Sequence, residues 1–272
     1  MRQAWTSVGW RWPCLLVVFG IAACSENAVK APLPGSGLDP NDIVSGYVFL
    51  TPETQHQQDD DFLNPGHLWV DEGEHLFFDT SGVEASCASC HSANGMSLAD
   101  AATKYPLIDD ASEKLLNLEG RINLCRTQHQ EAEPLPYESD ELLSLTAYVA
   151  NLAHGKPMST GLSAAEMEAY ETGELYFNTR QGQFNLSCRE CHDLNWGTRL
   201  RGDTISQGHS NGFPTYRLEW QTLGSLHRRF RDCEAGIRAE PREYGSDEYL
   251  ALELYLRIRA QGLDVEAPAV RR

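Results

Sequence analysis

The chain has 272 residues, 41% of them hydrophobic, which is enough apolar material for a packed core and excludes a disordered chain. Its formal charge of −17 at pH 7 repels phosphate backbones, so nucleic acid is excluded as a partner. Eight cysteines are more than an ordinary cytosolic domain carries, and they lie at positions 14, 24, 87, 90, 125, 188, 191 and 233.

The N-terminal segment has the pattern of a signal peptide. Arg2 and Arg11 accompany an apolar run at residues 14–23, about half the length that a membrane-spanning helix needs. We therefore expect residues 1–23 to be removed on export and the mature protein to reside in the periplasm, where the environment is oxidising. The run ends in Ile-Ala-Ala before Cys24 and resembles a bacterial lipobox. Lipid anchoring through Cys24 and cleavage without lipidation are both open alternatives.

Residues 24–64 are predicted to form an extended N-terminal arm. Prolines at positions 32, 34, 40 and 52 interrupt this segment, and residues 55–61 are polar without an apolar period. We expect little independent structure in the arm.

Two similar halves follow, at residues 65–157 and 158–272, with the same features in the same order. Each half has a glycine-containing helix, a CxxCH motif, a single later cysteine and a closing helix. The closing helices start at Ser139 and Ser246, and each has two acidic residues in its first turn. The sequence therefore predicts a mainly α fold, in which two duplicated cytochrome c-like haem domains follow the arm.

The CxxCH motifs are CASCH at residues 87–91 and CRECH at residues 188–192. Two thiols three positions apart on a helical turn can add to the two vinyl groups of haem, and the adjacent histidine can ligate the iron. A disulfide or a redox pair within each CxxC would not require the trailing histidine twice. We therefore predict two covalently bound haem c groups, with thioether bonds from Cys87, Cys90, Cys188 and Cys191 and axial ligands His91 and His192.

The residues alone leave the second axial ligand of each haem open. No methionine lies between the second CxxCH motif and its closing helix. The thiol and imidazole candidates are Cys125 and His129 in the first half and His209, His227 and Cys233 in the second half. Because Cys125 and Cys233 occupy equivalent places, either each supplies a thiolate to its own haem or the two form a disulfide.

Positive charge is concentrated in the second half. Residues 189–242 contain nine arginines, no lysine and seven acidic residues, and Arg228, Arg229 and Arg231 lead directly to Cys233. Cations beside a cysteine stabilise its thiolate and can receive an oxyanion substrate. A solvated basic helix face is the alternative, but the position of the arginines beside a candidate haem ligand favours an anion site.

Several longer motifs accompany the two CxxCH sequences. The first half contains RINLCRT and PYESDELLSLTAYVA, and the second contains NGFPTYRLEW, SLHRRFRDC, RAEP and the terminal PAVRR. With this combination, from about Pro65 to Arg272, the chain resembles the SoxA family, the dihaem subunits of SoxAX cytochrome complexes in bacterial thiosulfate oxidation. The lipobox-like Cys24 departs from the free periplasmic form that is usual in that family.

The resemblance implies a set of site residues. Both haems would have His/Cys axial ligation, by His91 with Cys125 and by His192 with Cys233. Cys233 would be the catalytic cysteine, and Arg229, four positions earlier, would be the catalytic and substrate-binding arginine.

The resemblance also implies an activity, L-cysteine S-thiosulfotransferase. Thiosulfate would be coupled oxidatively to a cysteine of the carrier protein SoxYZ, giving a cysteine S-thiosulfonate, and two electrons would pass through haem to a small cytochrome c. The monohaem cytochrome subunit SoxX would be the stable partner in a heterodimer. The alternatives are a dihaem electron-transfer cytochrome without sulfur-transfer activity and a dihaem peroxidase.

Overall fold

The computed structural model describes Met1, residues 38–91 and residues 95–272, so the predicted signal peptide and Cys24 lie outside the described residues. The prediction of a mainly α fold is confirmed. The helices are α1 (Pro52–Asp59), α2 (His67–Phe78), α3 (Cys87–Cys90), α4 (Ala101–Lys104), α5 (Leu118–His129), α6 (Asp140–Asn151), α7 (Met167–Asn178), α8 (Cys188–His192), α9 (Leu226–Gly236) and α10 (Asp247–Arg259). Within the described part of the chain, no helix is long and apolar enough to cross a membrane.

Seven short strands complete the fold of the described residues. Two of the sheets are antiparallel pairs, and the third is a mixed sheet of three strands in the order β6-β5-β7. The strands are β1 (Leu107–Ile108), β2 (Leu115–Leu116), β3 (Arg199–Leu200), β4 (Asp203–Thr204), β5 (Thr215–Arg217), β6 (Thr222–Gly224) and β7 (Ala269–Arg271).

Two equivalent helix pairs form the core of the protein. Helix α2 packs against α6, and α7 packs against α10. The closing helices α6 and α10 begin directly after Ser139 and Ser246, as predicted. Each pair has a large aromatic centre, with Phe77 against Tyr148 in one and Phe177 against Tyr255 in the other, and both ring pairs have centroids 5.2 Å apart. The described residues from 38 onward belong to one compact unit, and the domain boundary between residues 157 and 158 stays a prediction.

A glycine lies at the crossing of each helix pair. A Cβ at Gly73 would overlap the carbonyl oxygen of Ser144, and a Cβ at Gly173 would overlap the carbonyl oxygen of Ala251. The backbones of the two helices in each pair are therefore in contact at this crossing, which only a glycine permits. This explains why the first helix of each half carries a glycine despite its low helix propensity.

We expect Gly173→Ala to destabilise the protein by about 1–3 kcal/mol, because a carbonyl oxygen of the backbone cannot rotate away from the new methyl group. The control is Gly236→Ala on α9, where an added Cβ meets nothing within 4 Å. That variant should be neutral or slightly stabilising, as alanine favours the helix by up to about 1 kcal/mol. Chemical denaturation of both variants measures the difference, and equal stabilities would contradict the close crossing.

Short helices occupy the described part of the predicted arm. Besides α1, two 3-10 helices are present at Pro40–Asp42 and Gly46–Phe49. Pro40 and Pro52 are at the starts of their helices, where the missing amide hydrogen leaves no bond unmade. The prediction of little independent structure is therefore wrong for residues 40–59, since these prolines initiate helices instead of interrupting the chain.

The arm is held against the C-terminal strand. The amide of Val270 donates a hydrogen bond to Gln58 Oε1 (3.1 Å), and Asn64 Nδ2 donates to the carbonyl oxygen of Pro268 (2.9 Å). Strand β7 in turn pairs in parallel with β5, whose other edge pairs with β6 in the antiparallel direction. The sheet thus fixes Arg217, the last residue of β5, and α9 begins directly after Ser225, the residue that follows β6.

A buried polar network joins α9 to α10 and to the start of α5. His227 Nε2 lies 3.0 Å from Glu253 Oε2, and Asn117 Nδ2 donates to the same oxygen (3.2 Å). Burial of Glu119, followed by the negative charges of Glu253 and Glu138, raises the pKa of Glu119 to about 8. Glu119 is therefore protonated at neutral pH in the folded protein.

We expect Glu119→Gln to flatten the pH dependence of stability. The unfolded chain loses the Glu119 proton near the ordinary pKa of 4.5, whereas the folded protein keeps it to about pH 8, so stability falls as the pH rises between these values. Glutamine cannot ionise, and the variant should gain several degrees of Tm relative to wild type at the upper end of this range. Glu248→Gln, which changes an exposed carboxylate on α10, is the control. Thermal unfolding across the pH range tests the prediction, which parallel curves for Glu119→Gln and wild type would contradict.

Candidate functional site: two Cys-x-x-Cys-His turns and their distal cysteines

Both CxxCH motifs form the short helical turns that thioether attachment requires. CASCH forms α3, with His91 directly after its last residue, and CRECH forms α8, which ends at His192. Ser187 and Glu190 make a capping box at the start of α8, in which the Ser187 amide donates to Glu190 Oε2 (2.7 Å). The cap fixes the direction in which Cys188 and the histidine leave the turn.

His192 is prepared to act as a metal ligand. Its Nδ1 lies 2.8 Å from the carbonyl oxygen of Ser206 and must donate to it, because a carbonyl oxygen only accepts. This leaves the lone pair on Nε2, the arrangement common in metal-binding histidines. Burial lowers the pKa of His192 to about 4, so the ring is neutral at pH 7. Gly208, at φ +73°, lets the chain pass against the ring, since a Cβ there would lie 2.8 Å from His192 Cγ.

His91 has a similar environment in the first half. Burial, followed by the positive charge of Arg121, lowers its pKa, so the imidazole is neutral at pH 7. Phe77 packs nearby, with ring centroids 6.4 Å apart. Residues 92–94, which follow this histidine, lie outside the described residues.

Each later cysteine lies beside the CxxCH turn of its own half. Cys125 on α5 is close enough to raise the pKa of Cys87, although burial is the main cause. Cys233 on α9 likewise raises the pKa of both Cys188 and Cys191, again after burial. All six described cysteines are free, so the alternative of a Cys125–Cys233 disulfide has no counterpart in the structure.

The other candidate ligands are placed differently. His129 is exposed at the end of α5. His227 belongs to the Glu253 network, and His209 Nε2 contacts Gln207 Oε1 (3.0 Å) within a buried loop. His209 also lies close to His192: after burial and the charge of Arg259, a positive charge on His192 would lower the pKa of His209. Of the candidate ligands in the second half, the structure thus places Cys233 beside Cys188 and Cys191 at the CRECH turn.

Arg229 and Cys233 lie one turn apart on α9 and so share a helix face. Arg229 is half-buried, and the negative charge of a Cys233 thiolate is the main cause that raises its pKa above the ordinary value. The helix places a permanent cation beside the thiol group of Cys233 at the CRECH turn. Such a pair can bind an anion next to a reactive sulfur atom.

The first half contains a neutralised counterpart that the sequence analysis missed. Arg121 precedes Cys125 by four positions, as Arg229 precedes Cys233. Arg121 Nη1, however, contacts Asp109 Oδ1 at 2.6 Å, and the Asp109 side chain is only 10% exposed. The Arg-x-x-x-Cys spacing was visible in both halves, but the pairing of Arg121 with Asp109 depends on the β1–β2 hairpin. The cation of the first half is therefore not free to bind a substrate.

The described residues fit haem c at both turns. Each offers two thiols on one helical turn, a neutral imidazole and a distal thiol, which is a donor set suited to a covalently attached, six-coordinate haem. The two halves differ in the charge beside the distal thiol.

Comparison with known proteins gives a consistent result. The SoxA/TsdA cytochrome c domain family matches residues 72–158, which indicates covalently bound haem c. The L-cysteine S-thiosulfotransferase subunits SoxA of Pseudaminobacter salicylatoxidans and Rhodovulum sulfidophilum are 38% and 36% identical to this chain; the alignments cover 84% and 90% of it and 81% and 86% of the relatives. The crystal structure of SoxXA from P. pantotrophus matches with a TM-score of 0.81 and 35% identity over 85% of this chain and 87% of the other. The chain belongs to the SoxA family of cytochromes.

Proposed function

We propose that this chain is the SoxA subunit of an L-cysteine S-thiosulfotransferase, which couples thiosulfate oxidatively to a cysteine of a carrier protein. The observation that carries the proposal is the placement of Arg229 one turn from Cys233, against the CRECH turn. SoxA relatives that bear the name of this activity align over most of the chain. A dihaem cytochrome that only transfers electrons is not favoured by these relatives.

The chain would hold two covalent haem c groups, bound through Cys87 and Cys90 and through Cys188 and Cys191. His91 with Cys125 and His192 with Cys233 would be the axial pairs. When bound by these residues, haem would supply a one-electron acceptor. The Nδ1–H of His192, held by Ser206, keeps the ring oriented for ligation.

The reaction removes two electrons while forming one sulfur–sulfur bond. Arg229 would bind the thiosulfate dianion and direct its sulfane sulfur to Cys233, where the loss of two electrons forms a sulfur–sulfur bond between the two. The carrier cysteine thiolate then attacks that sulfane sulfur and displaces the Cys233 thiolate, so the net reaction forms one sulfur–sulfur bond. The carrier cysteine thiolate and thiosulfate together carry three negative charges. The product, a cysteine S-thiosulfonate, carries one, so two electrons leave and no oxygen atom is gained or lost. In the first half, Asp109 neutralises the equivalent arginine, which supports the second half as the catalytic centre.

The proposed partners follow from this chemistry and from the relatives. SoxX, present with SoxA in the matching crystal structure from P. pantotrophus, would be the stable partner in a heterodimer. SoxYZ would supply the carrier cysteine, and a small cytochrome c would accept the electrons. We place the mature protein in the periplasm, and N-terminal mass analysis distinguishes a lipidated Cys24 from a plain cleaved end.

Reconstitution tests the proposed function. The purified holo complex with SoxX is mixed with thiosulfate, SoxYZ and oxidised cytochrome c. We expect the carrier cysteine to gain one thiosulfate by intact mass, with two equivalents of cytochrome c reduced per label. Cytochrome c reduction without labelling would indicate electron transfer alone, and turnover driven by peroxide without thiosulfate would indicate a peroxidase. Either result would overturn the proposal.

The haem ligands are tested by low-spin ferric EPR and by intact mass. Two haem additions are expected on the mature chain. Cys125→Ala and Cys233→Ala should each remove one thiolate-ligated signal and retain the other. Spectra identical to wild type would contradict thiolate ligation.

A further inference from the structure

Arg217 is a buried cation close to the Cys233 site. It ends β5, the central strand of the three-stranded sheet, where it is paired with Thr222 on one side and Arg271 on the other. Its side chain is 9% exposed. Because the backbone is held on both edges, the position of the side chain is set by the sheet and not by a mobile loop.

Among the described residues, little balances the charge of Arg217. It pairs with Glu219, whose Oε2 lies 3.2 Å from Arg217 Nη2 and whose side chain is 54% exposed. An exposed carboxylate is screened by water and compensates a buried guanidinium weakly. Within the described part of the chain, the buried Nε of Arg217 has no hydrogen-bond partner. Because buried donors are nearly always paired, this Nε–H is available to a bound ligand.

The charges of Arg217 and Arg229 interact with each other and with Cys233. The positive charge of Arg229 lowers the pKa of Arg217, second only to burial, whereas a negative charge on Cys233 raises it. Cys233 also raises the pKa of Arg229. The two guanidinium groups, one on the sheet and one on α9, are therefore near enough to each other and to Cys233 for their charges to interact. Their mutual repulsion is relieved when an anion binds between them.

Trp220 holds this arrangement in place. The guanidinium carbon of Arg217 lies 5.2 Å from the ring centroid, and that of Arg228 lies 4.3 Å from it. The indole Nε1 donates a hydrogen bond to Oδ2 of Asp232 (2.7 Å), the residue that precedes Cys233 on α9. A Cβ at Gly224 would overlap the ring, so the glycine of β6 makes room for it. The guanidinium group of Arg217 is thus positioned by the ring of Trp220 and not by a buried carboxylate.

We propose that Arg217 is a second substrate-binding residue of the Cys233 site, whose unpaired Nε–H donates to a sulfonate oxygen of thiosulfate while Arg229 binds the same dianion from α9. This inference rests on the proposed function and adds a residue to its binding site. Two cations match a dianion whose three oxygens lie at one end and whose sulfane sulfur lies at the other. The sulfonate end would then be held by arginine, which leaves the sulfane sulfur directed to Cys233.

Three variants of the holo complex with SoxX test the proposal. Arg217→Gln should raise the KM for thiosulfate by about 10- to 100-fold with kcat within about twofold, because a charged hydrogen bond to the substrate is lost. Arg217→Lys keeps the charge but loses the Nε–H, so its KM should lie between those of wild type and Arg217→Gln. Arg238→Gln is the matched control, because Arg238 also lies over an aromatic ring, that of Phe184 (5.0 Å), but is exposed and donates to Gln183 Oε1 (3.3 Å).

Thiosulfate binding without SoxYZ gives a readout that needs no turnover. Calorimetry should show the same loss of affinity in Arg217→Gln and wild-type affinity in Arg238→Gln, while the haem content and Soret spectra of both match wild type. Unchanged affinity in Arg217→Gln, or an equal loss in Arg238→Gln, would overturn the role of Arg217. If Arg217→Gln does not fold, Arg217→Lys decides, and wild-type affinity in that variant would overturn the Nε–H contact.

The same measurements separate this inference from the proposed function. If wild type labels the carrier cysteine and Arg217→Gln binds and reacts normally, only the role of Arg217 fails. If wild type binds thiosulfate through Arg217 but never labels the carrier, the proposed function fails and the anion site stands.

Discussion

Cys233→Ala is expected to abolish thiosulfate-dependent labelling of the carrier cysteine, with a rate loss of at least about a thousandfold. The sulfur atom on which the bond forms would be missing, and a methyl group cannot replace it. Intact mass of the carrier over time measures the rate. Cys188 and Cys191 remain, so covalent haem attachment should persist and haem content serves as the check on folding.

Cys125→Ala makes the comparison specific to the second half. It removes the equivalent thiol beside the CASCH turn, where Arg121 is already paired with Asp109. We expect this variant to lose far less labelling activity than Cys233→Ala. Labelling that survives Cys233→Ala at the wild-type rate would eliminate the sulfur-transfer role of this residue.

Arg229→Gln is expected to lower kcat/KM for thiosulfate by about a hundredfold. The guanidinium lies one turn from Cys233, and its loss removes a charge-assisted contact to the dianion at the reacting sulfur. The effect should be larger at low ionic strength, since added salt competes with thiosulfate for the cation. Initial rates of carrier labelling at two salt concentrations measure both effects.

The matched control is Arg121→Gln, which removes an arginine at the same spacing in the first half. Its partner Asp109 would lose a 2.6 Å contact, so a stability loss of about 1 kcal/mol is expected while kcat/KM stays within about twofold. Equal losses of activity in the two variants would show that the arginines act through overall charge. That outcome would remove the assignment of Arg229 as a substrate ligand.

Local sequence signals located the helices that matter most. Ser139 and Ser246 stand at the starts of the closing helices, as predicted from serine followed by two acidic residues. In the arm, the prediction from the local sequence is wrong. Pro40 and Pro52 were interpreted as breaks, whereas a proline at the first helical position is an ordinary start when a capping residue precedes it.

Pairwise contacts between distant segments were beyond the sequence. Arg121 and Arg229 have the same spacing to a cysteine, and nothing in their local sequences says that one is neutralised. Asp109 reaches Arg121 because the β1–β2 hairpin returns toward α5. Arg217 lies 16 positions before Cys233, and only the sheet brings it to the same site.

The sequence by itself determined the chemistry that is local in the chain. CASCH and CRECH define two attachment turns, because both thiols and the histidine of each lie within five consecutive residues. The i, i+4 relation of Arg229 to Cys233 is equally local to one helix. The tertiary structure decided which later cysteine lies at which CxxCH turn and which arginine is neutralised. Both depend on contacts between segments that are far apart in the sequence. The eight cysteines of the sequence led to the two candidate haem sites, and only the fold shows that Asp109 neutralises Arg121 in the first half.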